Sequence, residues 1–244
     1  MIGIGGSATN DGGMGCLRAL GVRFLDAQGK PLSGTGADLI RVARIDPSGL
    51  DARLKQCDIR VMCDVTNPLL GKTGATYIYG PQKGATESII LELEAGMENY
   101  GRLVRETFGV DIQGAGAGAA GGLGTALACV GGALVRGVDA VLDLKNFDQE
   151  LESADLVVTG EGRFDHQSLG FGKLIAGVLD RAGRAKVPVV ILAGSVLGDV
   201  SALYRHNARV MACVDRPMAL ETAMENAAPQ LSAAAARAFA FVRM

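Results

Sequence analysis

The sequence predicts an α/β protein whose second half carries a parallel sheet, and three observations lead there. Residues 155–159, 187–193 and 209–214 are short runs rich in Val and Ile, as expected of strands buried on both faces. Helix-length segments at 172–184 and about 199–206 lie between them, and an Ala-rich helix over 217–242 follows. Strand–helix alternation of this kind implies a parallel sheet with right-handed crossovers. Glycine is the third sign: 35 of 244 residues, against a usual share of about 7%. No G-x-y period runs through them, which leaves the glycine-rich loops of an α/β fold.

The first half reads in order as follows. Residues 2–4 form a strand end that breaks into Gly5-Gly6-Ser7-Ala8-Thr9-Asn10-Asp11-Gly12-Gly13. A short helix over 13–20 stops at Gly21. A strand at 22–25 leads into a turn at 26–30, and residues 31–57 hold too many Gly and Pro for more than short elements. Residues 58–63 alternate as a strand and end at Asp64-Val65-Thr66-Asn67-Pro68, where the Asn-Pro pair favours extended or turn backbone. Residues 71–84 read as a glycine-punctuated loop. From Thr86 the pattern predicts a helix, because Thr86 can cap it and Glu87 lies in its first turn. Ile90, Leu93, Met97, Tyr100 and Val104 share one face until Gly109. The Gly/Ala run 114–124 leads into an apolar helix at about 125–130, and a domain boundary is placed near residue 148.

Composition excludes several classes. Twenty-four basic and 26 acidic residues leave a net charge of −2, so no nucleic-acid or anionic-membrane surface is indicated. Trp is absent and aromatics are few, which argues against base stacking. Five scattered cysteines without C-x-x-C fit free thiols of a reducing, cytoplasmic compartment, and no secretory signal is expected. With His166 and His206 as the only histidines, a His-based triad or multi-His metal site is nearly ruled out. Residues 112–135 are uncharged and long enough to span a bilayer. Eight glycines over 114–135 make a loop and buried helix the better reading.

Two glycine-rich stretches carry the candidate chemistry. In the first, Gly5, Gly6, Ser7, Thr9, Asn10 and Asp11 lie between a strand and a helix. That arrangement suits an anion cradle, and equally an ordinary turn in which Asn10 or Asp11 caps the helix. In the second, Thr159-Gly160-Glu161-Gly162-Arg163-Phe164-Asp165-His166-Gln167-Ser168 is expected to follow a strand, at the carboxyl edge where open α/β sheets bind ligands. Phosphoryl transfer needs cationic clamps, carboxylates for Mg²⁺ and a base for the attacking hydroxyl. Arg163 and Lys173 supply the first, and Glu161 and Asp165 the others. The competing reading is a surface ion pair of Arg163 with Asp165 or Glu161. For Asp64 and Asn67, function and turn chemistry weigh equally. Gly3-x-Gly5-x-x-Ala8 and Gly116-x-Gly118-x-x-Gly121 fit a dinucleotide template, a weak signal in so glycine-rich a chain. Gly71-Lys72-Thr73 is not a P-loop, since Thr66 stands where the first glycine is needed.

Taken together, residues 3–13, Cys63-Asp64-Val65-Thr66-Asn67-Pro68-Leu69, Gly80-Pro81-Gln82-Lys83-Gly84-Ala85, residues 116–124 and Gly160-Glu161-Gly162-Arg163 follow one another as in a known family. The chain resembles the bacterial type I glycerate kinases over essentially its whole length. The resemblance implies ATP- and Mg²⁺-dependent phosphorylation of (R)-glycerate to 2-phosphoglycerate or 3-phosphoglycerate. It implies two α/β domains, one flavodoxin- or Rossmann-like with a parallel sheet, the other inserted into it. Residues 1–148 would then be most of the inserted domain and 149–244 the C-terminal half of the Rossmann-like one. Gly5, Gly6, Ser7, Thr9, Asn10, Asp11, Asp64, Asn67 and Gln167 would contact substrate or phosphate. Asp165, Arg163 and Lys173 would be catalytic, and Glu161 and Asp165 would hold the metal.

Two departures from the family accompany the resemblance. The family's upstream Pro-Asp-Ser-Phe-Lys-Gly-Ser-like and Ala-Asp-Gly-Gly-Glu-Gly-Thr-like motifs are absent. The segment from Asp165 to Lys173 is one residue longer than the family's Asp-x-Gln-Thr-x-x-Gly-Lys-x-Pro and lacks its proline. The expectation is a chain short of its N-terminal segment, poorly active and inclined to associate with a second copy through an exposed sheet edge. The rival readings are an NAD(P)-binding oxidoreductase and a non-catalytic ligand-binding remnant.

Overall fold

The computed structural model describes residues 1–170 and 173–242, the last two by their backbone alone. Its chain is mixed α/β, divided by contacts into two compact units, Met1–Gly137 and Val138–Met244. The division falls ahead of the expected boundary near residue 148. Val138 and Leu142 belong to the core of the second unit, which draws helix α5 (Gly137–Leu144) to that side.

In the first unit, strands β1 (Ile2–Gly3), β4 (Arg60–Met62) and β5 (Ala133–Val135) form a parallel sheet in the order β1-β4-β5. Strands β2 (Arg23–Leu25) and β3 (Arg44–Asp46) pair antiparallel in a separate sheet. Helix α1 (Met14–Ala19) is one short stretch, and the longest helix is α3 (Glu87–Phe108). As the sequence predicts, the Thr86 hydroxyl accepts from the Ile89 amide, and Gly109 closes α3 in the left-handed conformation. Met97, Tyr100 and Val104 of its apolar stripe are fully buried, packed with Met14, Leu17, Phe24 and Leu69. Residues 71–84, read from the sequence as loop, contain helix α2 (Ala75–Tyr79) and a single 3₁₀ turn, Pro81–Lys83. Glycines at both ends of these elements mask their helical centre. Helix α4 (Ala119–Cys129) carries three left-handed residues in its first turn, Ala120, Gly121 and Gly122, before turning regular.

In the second unit, β6 (Val157–Phe164), β7 (Val189–Val196) and β8 (Ala208–Ala212) form the expected parallel sheet, in the order β6-β7-β8. Only the central strand, β7, is well buried. Val158 on β6 is 45% exposed, which corrects the reading of all three strands as buried on both faces. It lies on an edge strand. Strand β6 also runs five residues further than expected, because Gly160 and Gly162 stay in register with β7 instead of ending the strand. The segment over 199–206 is a 3₁₀ helix, Ser201–His206. The expected helix over 217–242 is two, α8 (Leu220–Glu225) and α9 (Ala227–Val242), parted at Asn226. The helix placed at 172–184 is α7 (Leu174–Ala185), and residue 172 lies outside the described residues. No described helix is long and apolar enough to cross a membrane.

One polar cluster in this unit is built around a buried arginine. Arg181 on α7 is 7% exposed and reaches Asp143 at 2.6 Å, Asp148 at 3.0 Å and Asp139 at 3.3 Å. Asp139 and Asp143 come from α5, and Asp148 from helix α6 (Phe147–Leu151). The cluster ties these helices to α7, and removing the guanidinium deletes all three contacts. Arg181→Leu is expected to destabilise the protein by about 2–3 kcal/mol, less than a fully buried pair because Asp143 and Asp148 reach solvent. A urea midpoint equal to that of the parent would show the cluster to be dispensable.

Candidate active site

The first unit holds the Gly5–Asp11 loop. It leaves β1 and is tied down from several sides. The Asp11 carboxylate accepts from the amides of Gly13 at 2.9 Å and Gly15 at 3.3 Å. The start of α1 is therefore occupied by the chain's own acid, and the capping reading holds there over a cradle built on that helix end. Asn10 donates through Nδ2 to the Thr76 hydroxyl at 3.2 Å, while its Oδ1 is buried with no hydrogen-bond partner. Glu94 accepts from the Gly71 amide through Oε1 at 2.6 Å, and its Oε2 is buried without a hydrogen-bond partner. Burial pushes the Glu94 carboxyl above its ordinary range.

Lys83 anchors the loop from across the unit. Its ammonium donates to the Ser7 hydroxyl at 2.9 Å and to the Thr9 carbonyl at 2.6 Å. Gly5, Gly6, Ser7, Asp64, Tyr79 and Lys83 line a cleft of about 270 Å³. Thr9, Asn10, Asp11 and again Lys83 line a second, of about 370 Å³. Asp64 is exposed, and its Oδ1 accepts from the Gly137 amide at 2.7 Å. Asn67 is engaged at both ends, donating to the Thr73 carbonyl and accepting from the Tyr79 hydroxyl. For Asn67 the geometry favours turn chemistry.

The second unit holds the Glu161–Asp165 segment. Glu161 and Arg163 lie within β6, not in a loop beyond it. One oxygen of Glu161, Oε1, is buried without a partner. Asp165 is 8% exposed and caps the 3₁₀ turn His166–Leu169, with Oδ1 accepting from the Gln167 amide at 2.8 Å. Its Oδ2 lies 3.4 Å from the Arg163 guanidinium, which is 65% exposed. The ion pair of the competing reading is therefore present, and it is loose. The Gln167 and Lys173 side chains are exposed. Gly160, Glu161 and Gly162 border a groove of about 880 Å³ whose other wall is α8 and α9. Among the described residues no three acidic, His or Cys groups cluster as a metal site.

The dinucleotide templates find no support in this geometry. The helix after β1 has six residues, and the strand after it joins a different, antiparallel sheet. The glycines of the second template serve internal packing: a Cβ on Gly118 would lie 2.0 Å from the Pro68 carbonyl oxygen, and one on Gly121 would lie 2.2 Å from that of Thr9.

Lys83, Thr76 and Glu94 were not singled out from the sequence. Glu94 had a signal, since it falls in register with Ile90, Met97 and Gly101 on the buried face of α3. Lys83 lies within Gly80-Pro81-Gln82-Lys83-Gly84-Ala85, but nothing local shows that it reaches residues 7 and 9.

Comparison with known proteins supplies the remaining finding. The family model described as "Glycerate kinase family" matches residues 1–243. A glycerate 2-kinase of Escherichia coli K12 is 47% identical over 208 residues, 84% of this chain and 54% of that protein. A glycerate kinase of Bacillus subtilis 168 is 44% identical over 231 residues, 93% of this chain and 60% of that protein. A crystal structure from Salmonella typhimurium LT2, assigned as glycerate kinase 2, superposes with a TM-score of 0.77 at 41% identity. The match covers 99% of this chain and 64% of that one. The chain thus spans between half and two thirds of the length of these relatives.

Proposed function

The chain belongs to the glycerate kinase family, and on that premise we propose that it serves ATP-dependent phosphoryl transfer to (R)-glycerate. The name of the Escherichia coli relative favours 2-phosphoglycerate over 3-phosphoglycerate as the product. The observation that carries the proposal is the grouping of Glu161, Arg163 and Asp165 on and just beyond a single strand, with one Glu161 oxygen left without a partner. Asp165 takes the proton of the attacking hydroxyl through Oδ2, which the loose contact with exposed Arg163 leaves available. Arg163 and Lys173 bind phosphoryl oxygens, and Gln167 contacts substrate or phosphate. Within the first unit, Ser7, Thr9, Asn10 and the Gly5-Gly6 backbone form a loop that binds a substrate carboxylate or a phosphate.

The residues present fit Mg²⁺, which is commonly held by one or two carboxylates together with substrate phosphates. Glu161 would hold it through its unpartnered oxygen, and Asp165 would do so where it serves as metal ligand in place of base. When bound, the ion neutralises charge on the phosphates. A cytoplasmic location is proposed with this, since all five cysteines are free.

Thermal unfolding with added ligands tests the reading. Mg-ATP or (R)-glycerate is expected to raise Tm, a saturating ligand at a hundred times Kd being worth about 2.7 kcal/mol. NADH is expected to leave it unchanged. Stabilisation by NADH and not by Mg-ATP would restore the oxidoreductase. Stabilisation by Mg-ATP without glycerate-dependent ADP release would leave a binding remnant.

A further inference from the structure

We propose that Lys83 is the cation of an oxyanion site built on the Gly5–Thr9 loop, taking either the carboxylate of a small hydroxy acid or a phosphoryl oxygen. The inference deepens the functional reading above and rests on it for the choice of ligand. Its geometry stands apart from that reading. An ammonium has three donors, and Lys83 commits two of them, to the Ser7 hydroxyl and the Thr9 carbonyl. Both acceptors are neutral. No carboxylate pairs with Lys83 among the described residues, and the nearby Asp11 spends its oxygens on the Gly13 and Gly15 amides. Lys83 is half-buried and lines both clefts of the first unit. A desolvated cation without a counter-charge is costly unless an anion joins it. Burial pushes the Lys83 ammonium below its ordinary pKa, against the pull of Asp11.

The space beside Lys83 suits such a guest. A Cβ placed on Gly5 or Gly6 meets nothing within 4 Å, and Gly6 holds φ at +74°. No side chain crowds the loop backbone there, and Gly5 and Gly6 line the same cleft as Ser7 and Lys83. A purely structural Lys83 would staple the loop to the Pro81–Lys83 turn and do no more. The two roles separate experimentally.

Titration calorimetry on the full chain provides the test, with (R)-glycerate in one arm and inorganic tripolyphosphate in the other. The parent is expected to bind at least one of them. Lys83→Met is expected to weaken that arm at least about tenfold, the worth of one charge-assisted hydrogen bond, and Lys83→Arg much less. The arm that weakens identifies the carboxylate or the phosphate as the guest. Equal affinity in Lys83→Met and parent overturns the proposal, whatever happens to Tm, and so does a parent that binds neither anion. A measurement without substitution guards against misfolding of the variant. Acetylation of Lys83 Nζ by acetic anhydride, followed by mass spectrometry, should slow when the bound anion is present. An unchanged rate counts against the site. Lys83-dependent anion binding without glycerate-dependent ADP release would keep this inference and remove the kinase reading.

Discussion

Asp165→Asn is expected to lower kcat for phosphoryl transfer to (R)-glycerate by about 10²–10⁴-fold, the usual worth of a positioned general base. The substitution is mild for the fold. Asn is as good a cap as Asp, and its carbonyl oxygen can still accept from the Gln167 amide as Oδ1 does. What disappears is the charge on Oδ2 facing Arg163, an interaction with a mostly exposed guanidinium that contributes at most about 1 kcal/mol. Tm should therefore stay within a few degrees of the parent while turnover collapses, with KM for glycerate little changed. Kinetics and thermal unfolding on the same preparation check both halves. Near-normal kcat would reduce Asp165 to the cap of the His166–Leu169 turn.

How far the chain could be read without coordinates depended on whether the deciding contacts were local. Helix α3 was legible because its cap, its stripe and its terminating glycine all lie within its own sequence. Read locally, strand β6 ends at Thr159, because Gly160 and Gly162 look like breakers. Pairing with β7 overrides them, and a Cβ on Gly160 would come within 2.5 Å of the Leu192 carbonyl oxygen. Local propensity therefore misjudges a strand whose partner demands close backbone approach. The candidate sites divide the same way. The Ser7–Asp11 loop and the Glu161–Asp165 segment announce themselves by composition. That Asp11 satisfies the amides at the start of α1, and that Asn67 is held at both ends, are facts of geometry. Lys83 lies 76 residues from Ser7, and only the folded chain brings them together.

Gly121→Ala is the second substitution from which a large effect is expected, a loss of roughly 2–4 kcal/mol that lowers Tm by ~5–15 °C. Two costs combine. Gly121 holds φ at +70°, which an L side chain adopts under strain, and the added Cβ would lie 2.2 Å from the Thr9 carbonyl oxygen and 2.9 Å from Asn10 Cα. Backbone cannot yield as a side-chain end can, so the Thr9–Asn10 segment must move. It would pull on the Gly12 amide bonded to the Gly121 carbonyl at 2.9 Å, and on the Thr9 carbonyl held by Lys83. Ala120 separates the two costs, because it already sits at φ +54° with its methyl group accommodated. Left-handed backbone alone is therefore tolerated at this bend, and Ala120→Gly should change Tm by no more than a degree or two. If approach of the 118–122 bend to the loop builds the anion site, Gly121→Ala should weaken anion binding at temperatures where the variant is still folded. The Tm shift should fall on the unfolding of Met1–Gly137. A Gly121→Ala protein with the Tm and anion affinity of the parent would mean that the bend and the loop are independent, and that the glycines there are not required by packing.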